Sequence, residues 1–216
     1  MIISVSGRKY SGKDSSAEGL ISRHSFKRVG LADKLKDICS EVFSIPRIDM
    51  DDQTKKEVPF TSPILIGSNH LQALVDILEV DGFPVTDSIY QELCKEFHDV
   101  SLTSIRHLLQ FVGTDIVRTH IDNDVWLKYF GKIATNTDAN IIVTDARFKN
   151  EREYLKSIGA TLFLIKREGL SSGDSHISEN QLGDDNDYDV IVYNDSCKVA
   201  LQSSMTMWYV HHRREG

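Results

Sequence analysis

The residues with the clearest chemical purpose stand near the start of the chain. Gly7-Arg-Lys-Tyr-Ser-Gly-Lys-Asp14 has the spacing G-x-x-x-x-G-K, the pattern of a loop that wraps phosphates. Gly7 and Gly12 permit backbone angles and close approaches that a Cβ would block. Successive N–H groups then point into one concavity, and a helix start behind them adds unpaired donors and a partial positive charge. Ser11, Ser15 and Ser16 belong to the same stretch, and Lys13 can reach outer phosphates as a point charge. The residue after the lysine is ordinarily Ser or Thr, whose hydroxyl holds Mg²⁺. Here it is Asp14. A carboxylate beside bound phosphates needs a cation between them or must point away. Either Asp14 organises Mg²⁺ or its water, or Ser15 takes that role.

Two further groups suit the same chemistry. Asn140-Ile-Ile-Val-Thr-Asp145 is an apolar run ending in an acid, and an acid at a strand tip can organise Mg²⁺ and its waters. Arg147, Asn150 and Glu151 follow it, and Lys166-Arg167 follows the next apolar run. Arg147 and Arg167 are read as offsetting charge on a transferring group. For an anionic acceptor the candidates are Asp33 and Lys34, where a sheet's carboxyl edge would meet a ligand. Lys36 beside them reads as solvated charge. At helical spacing over 103–118, Ile105, Leu108, Leu109, Val112 and Ile116 form an apolar stripe, with Thr103 as N-cap. Arg106, Gln110 and Gly113 gather on a second stripe, and Arg118 lies round its other side. A glycine costs about 1 kcal/mol in a helix interior, so Gly113 is read as leaving room for a flat group beside Arg106 and Gln110.

Positioning these residues requires alternating strands and helices. Strands are predicted at 2–5, 26–31, 140–145, 161–165 and 190–193, and helices at 15–24, 32–43, 103–118, 124–133, 151–158 and 198–211. That pattern predicts a three-layer α/β fold with a mainly parallel five-stranded sheet. Residues 44–100 are less regular. Pro59, Pro63 and Gly67 break any long element there, with short helices expected at 71–78 and 88–97. The stretch reads as an insertion that forms one wall of a substrate cleft. Residues 168–187, rich in Gly, Ser, Asp and Asn, read as a mobile lid. The whole, 1–216, is expected to be one domain.

Composition narrows the class. Net charge is −7, which argues against a general nucleic-acid surface. Cys39, Cys94 and Cys197 are far apart with no C-x-x-C spacing, which argues against a zinc site or a disulfide framework and fits a reducing cytoplasm. No apolar run approaches membrane-spanning length, and no signal peptide is expected ahead of the first strand.

Four pieces, in order, resemble the deoxynucleoside monophosphate kinases of tailed bacteriophages. They are Ser11-Gly-Lys-Asp14; Arg106-x-Leu-Leu-Gln-x-x-Gly-Thr-Asp115 followed by Arg118 and Trp126; Asp145-x-Arg-Phe-x-Asn-Glu151; and Asp174-x-His-x-Ser-Glu179. The resemblance covers most of the chain and is weakest over 44–100. It implies a P-loop kinase fold, ATP as phosphate donor, Mg²⁺, and a deoxynucleoside 5′-monophosphate (dNMP) as acceptor. It makes Asp14 an expected residue and adds Trp126, Asn150, Glu151 and Glu179 to the substrate side. Lys34, Arg106 and Arg118 are candidates for the acceptor phosphate, and Gln110 for its base. The enzyme would supply DNA precursors in the cytoplasm, the host's if phage-encoded; homodimerisation stays open. Two other classes fit the motifs: a kinase for another small acceptor, such as a sugar or a phosphorylated isoprenoid precursor, and a non-catalytic nucleotide sensor or partner-coupled NTPase.

Lys13→Ala is expected to abolish phosphoryl transfer while leaving the fold intact, as circular dichroism and turnover would show together. Near-native turnover would remove the phosphate-loop assignment.

Overall fold

The structure, a computed structural model, describes residues 1–8, 10–169 and 182–213. It divides into two compact units, one of Met1–Leu31 with Phe130–Gly216 and one of Ala32–Tyr129.

The first unit opens with β1 (Ile2–Gly7), whose β-branched Ile3 and Val5 are fully buried. Helix α1 (Lys13–His24) follows, then β2 (Lys27–Arg28). The chain then builds the second unit from α2 (Asp33–Phe43), α3 (Gln53–Lys56), β3 (Pro59–Leu65), α4 (Ser68–Val80), α5 (Asp87–Phe97), β4 (Ser101–Ser104) and α6 (Ile105–Gln110). A π-helix, Phe111–Ile121, continues α6, and α7 (Val125–Thr135) leads back. The first unit is completed by β5 (Ile141–Val143), α8 (Lys149–Ser157), β6 (Thr161–Lys166), β7 (Val190–Tyr193) and α9 (Lys198–His212).

The five strands of the first unit lie in the order β2-β5-β1-β6-β7. Every neighbouring pair is parallel, with Ile3 opposite Ile142 and Val5 opposite Phe163. The mainly parallel five-stranded α/β sheet expected from the strand pattern is present. β1 sits in the middle, so its carboxyl end, where the phosphate loop begins, opens between two neighbours. Leu20 of α1 and Leu201 and Met205 of α9 join Ile3, Val5 and Phe163 in one core. The second strand is shorter than the predicted 26–31. Only Lys27 and Arg28 pair with β5, although Val29 N–H still reaches the Ile142 carbonyl at 3.1 Å.

The second unit has its own core, in which Leu71, Leu78, Leu93, Leu102 and Leu108 are almost fully buried. It also holds a sheet that the sequence hid. β3 and β4 pair antiparallel, with a register shift between Pro59 and Ile64. Pro59 and Pro63 cannot donate to a ladder, and such residues are tolerated at edges and irregularities. The predicted helix 103–118 is corrected in two ways. Ser104, not Thr103, caps it, taking the N–H of His107 at 3.2 Å. The α-helix also gives way to π-helix at Phe111, where Asp122 N–H reaches back five residues to the Val117 carbonyl at 2.9 Å. The wider turn lowers the angle per residue, so a stripe drawn at α-helical spacing loses its line beyond Gln110.

The three cysteines are unpaired. Burial pushes the Cys39 thiol up, whereas exposed Cys197 is held below the usual thiol value by the N–H groups of Ala200 and Val199. Thiolate is the reactive form. A maleimide pulse near neutral pH is therefore expected to label Cys197 first and Cys39 only on unfolding, and mass spectrometry of the peptides would check the order.

Candidate functional site

The phosphate loop owes its shape to its glycines and to side chains outside it. Gly12 caps α1 at φ +96°, left-handed backbone that an L side chain rarely adopts. A Cβ there would lie 2.6 Å from Asn194 Nδ2, because Asn194 donates to the Ser11 carbonyl at 2.8 Å. At Gly7 a Cβ would collide with Ser11 Oγ and approach the Ile165 carbonyl to 2.9 Å. Ser11 N–H closes a turn on the Arg8 carbonyl at 3.0 Å. Lys9 lies outside the described residues.

Whether this loop suits a nucleotide can be judged from its polar atoms. Ser11 is 1% exposed and its hydroxyl has no hydrogen-bond partner among the described residues. A buried unsatisfied hydroxyl costs free energy unless something bonds to it, and a phosphate oxygen is such a partner. Ser16 is spent differently, donating to the Lys13 carbonyl at 2.6 Å. Ser15 is half-buried, and Gln202 donates to its carbonyl at 3.2 Å. A cavity of about 510 Å³ opens beside the loop, its lining including Arg8, Ser11, Lys166, Arg167 and Tyr193.

Charges crowd around Lys13. Burial lowers the pKa of its amine; Arg147 and Arg28 push the same way, while Asp14 and Asp145 oppose them. These residues, far apart in sequence, are therefore in electrostatic reach of one another. Asp14 Oδ1 accepts from Thr144 Oγ1 at 2.8 Å and from Arg28 Nη2 at 3.2 Å, and its Oδ2 lies 3.8 Å from Lys13 Nζ. Asp145 is half-buried at the end of β5 and takes the Leu31 N–H at 3.0 Å. Asp14, Ser15 and Asp145 offer hard oxygen donors, the kind Mg²⁺ takes. Glu151 is 3% exposed, and one of its oxygens accepts the N–H groups of Arg147 and Phe148 at 2.7 and 3.0 Å. It shapes the loop from below, while the Arg147 side chain stays exposed and Asn150 half-buried. Arg167 Nη1 lies 3.5 Å from the Tyr10 carbonyl. Glu179 and residues 170–181 of the expected lid lie outside the described residues.

The acceptor candidates fall in the second unit, where α2, α6 and the π-helix pack together. Lys34 forms an ion pair with Asp81 at 2.8 Å and lies 5.1 Å above the Tyr129 ring. Tyr129 donates to the same carboxylate oxygen at 2.8 Å. Asp33 is tied to Arg47 at 3.2 Å and Lys36 at 3.6 Å, so Lys36 is part of an ion network and not simply solvated. Arg106 pairs with Glu57, Gln110 is exposed and Arg118 is half-buried. Gly113 is buried, and a Cβ there would lie 2.6 Å from Leu35 Cδ2. Its carbonyl accepts the indole N–H of Trp126 at 3.0 Å, and Trp126 is 3% exposed. Gly113 thus makes room for α2, not for a flat ligand, and Trp126 braces the π-helix.

Sequence reasoning missed Arg28, Thr144 and Asn194. Thr144 precedes an acid already singled out, and Asn194 ends a predicted strand at the sheet edge where the loop begins. Either position could have been flagged. Arg28, one of many surface cations, carried no signal.

A lysine with a lowered pKa loses its charge at a lower pH than an ordinary lysine. ATP affinity is therefore expected to weaken as pH rises through that depressed value, before the pH at which a solvated lysine titrates. Calorimetry across alkaline pH checks this, with Lys13→Arg expected to remove the effect.

Comparison with known proteins gives concordant results. A protein of Acanthamoeba polyphaga mimivirus is 28% identical over 207 residues, covering 90% of this chain and 88% of its own. The deoxynucleotide monophosphate kinase of Enterobacteria phage T4 is 27% identical over 234 residues, covering 94% of this chain and 96% of its own. That of Escherichia phage RB69 is 26% identical over 240 residues, covering 94% and 97%. The model of the family described as deoxynucleotide monophosphate kinase matches residues 75–205, more than half of the chain. With a glycine-rich phosphate loop on the central strand and its cations gathered around Lys13, the chain belongs to the deoxynucleotide monophosphate kinase family.

Proposed function

We propose that this protein transfers the γ-phosphate of ATP to a dNMP, giving ADP and a dNDP. The observation that carries the reading is the built phosphate loop, with Ser11 Oγ buried and unpartnered and Gly12 in left-handed backbone, on a chain of this family.

Loop 7–13 grips the donor's β- and γ-phosphates, and the cavity beside it takes the donor's nucleoside. Its size falls within the range of small-molecule sites. Asp14, Ser15 and Asp145 would hold Mg²⁺ or its waters, and the ion would supply neutralisation of phosphate charge. Lys13, Arg147 and Arg167 offset the charge that spreads over the phosphoryl oxygens. The acceptor's own phosphate oxygen is already anionic, so no general base is required, and catalysis is positioning with electrostatic stabilisation. Lys34, Arg106 and Arg118 bind the acceptor phosphate, with Asp81 and Glu57 as the counter-ions they hold without it. Gln110 pairs with the base. The enzyme works in the cytoplasm, on the nucleotide pool that feeds DNA synthesis.

The reaction is tested by ADP release from ATP and Mg²⁺ against a panel of dNMPs, NMPs and small alcohols. Release with alcohols but not dNMPs would overturn it. Arg106→Ala should weaken every dNMP by a similar factor, on the order of tenfold per 1.4 kcal/mol lost, and spare ATP. Gln110→Ala should instead reorder the bases. Arg106→Lys should not rescue fully, since lysine lacks the two-pronged geometry. Separate calorimetric titrations decide: loss of ATP binding with dNMP binding kept would mean that the two nucleotides are assigned the wrong way round.

A further inference from the structure

Arg152 is a charged residue that the reading above does not use. It lies on α8, is 4% exposed, and points inward with its whole guanidinium. Burying a guanidinium is costly unless it is paired, and an apolar side chain of similar length often serves stability as well. What Arg152 does with its charge is specific. Nη1 donates to the carbonyl of Arg147 at 3.2 Å. Nη2 lies 3.6 Å from Asp187 Oδ2, and the guanidinium carbon sits 5.6 Å from the centre of the Tyr188 ring.

Asp187 and Tyr188 belong to one short segment, 182–188. Tyr188 donates its hydroxyl to the Leu182 carbonyl at 2.7 Å, and Asp187 accepts the Asp184 N–H at 3.1 Å. Gly183, at φ +73°, lets Arg152 in: a Cβ there would lie 2.6 Å from Nη2. At the other end, the backbone of Arg147 is held at both of its polar groups. Its N–H is taken by Glu151 and its carbonyl by Arg152. The peptides on either side of Arg147 are thus each held at one polar group, which fixes the direction in which its Cβ leaves the backbone.

We infer that Arg152 is a positioning residue for Arg147, fixing the loop that carries it and tying that loop to the 182–188 segment. The inference rests on the reading of Arg147 as a residue that meets the transferring phosphoryl group. A displacement of about 1 Å at a reacting centre can cost on the order of a hundredfold in rate, so the brace acts on kcat and spares nucleotide affinity.

A double-mutant cycle tests this. Arg152→Gln should lower kcat on the order of ten- to a hundredfold with KM for ATP little changed, and Arg152→Lys should not restore it. In an Arg147→Ala background, Arg152→Gln should add only about twofold or less, because the group it positions is gone. Asp187→Asn loosens the far end of the brace from a half-exposed position. It keeps the test alive should Arg152→Gln fold poorly, and it should lower kcat by a smaller factor with the same dependence on Arg147. Equal losses in both backgrounds would overturn the inference, as would an unchanged kcat with a lower melting temperature in Arg152→Gln. If Arg147→Ala alone keeps full kcat, the catalytic reading of Arg147 falls first and the inference with it.

Discussion

Burial of the Lys13 ammonium is the constraint on which the phosphate loop depends. Desolvation is what chiefly lowers the lysine's pKa, and Arg147 and Arg28 add to it in a place where charge interactions are strong. Asp14 and Asp145 oppose the shift. The cluster is stable as it stands because both acids are held in place, Asp14 by Thr144 and Arg28 and Asp145 by the Leu31 N–H. An anionic ligand beside the ammonium would replace part of the solvation that burial removes. The rest of the first unit is the frame that holds these charges around the loop.

That frame uses backbone carbonyls more than side-chain pairs. Asn194 holds Ser11, Gln202 holds Ser15, Ser16 holds Lys13 and Arg152 holds Arg147, each by the carbonyl. Fixing the peptide leaves the N–H groups and functional side chains to point elsewhere, which a direct side-chain contact would not do. The cations proposed for the acceptor are held differently. Lys34 and Arg106 each rest against a carboxylate, Asp81 and Glu57.

The first unit was legible because its chemistry and its elements coincide. A phosphate loop needs a strand before it and a helix after it, and both announce themselves in β-branched runs and amphipathic spacing. Asp145 and Arg167 could be placed for the same reason, at the ends of apolar runs that became β5 and β6. The second unit was harder. β3 carries two prolines and pairs irregularly with β4, so neither alternation nor turn signals marked it. Gly113 was misread because a π-helix leaves no trace in spacing. The apolar residues 112 and 116 fit an α-helix as well, and the groups that crowd Gly113, Leu35 and the Trp126 indole, come from elsewhere in the sequence. Arg152 was invisible, since a buried arginine on a charged helix looks like any solvated one.

The shortness of β2 has a bearing on how the protein survives at high concentration. β2 forms one edge of the parallel sheet, and an open edge is a template for another chain's strand. Here that edge offers only Lys27 and Arg28, both exposed and both cationic, so an approaching strand meets two positive charges and almost no ladder. Arg28 also neutralises Asp14. One residue thus stands both on the sheet's edge strand and beside the phosphate loop, so a change made there for one purpose also alters the other.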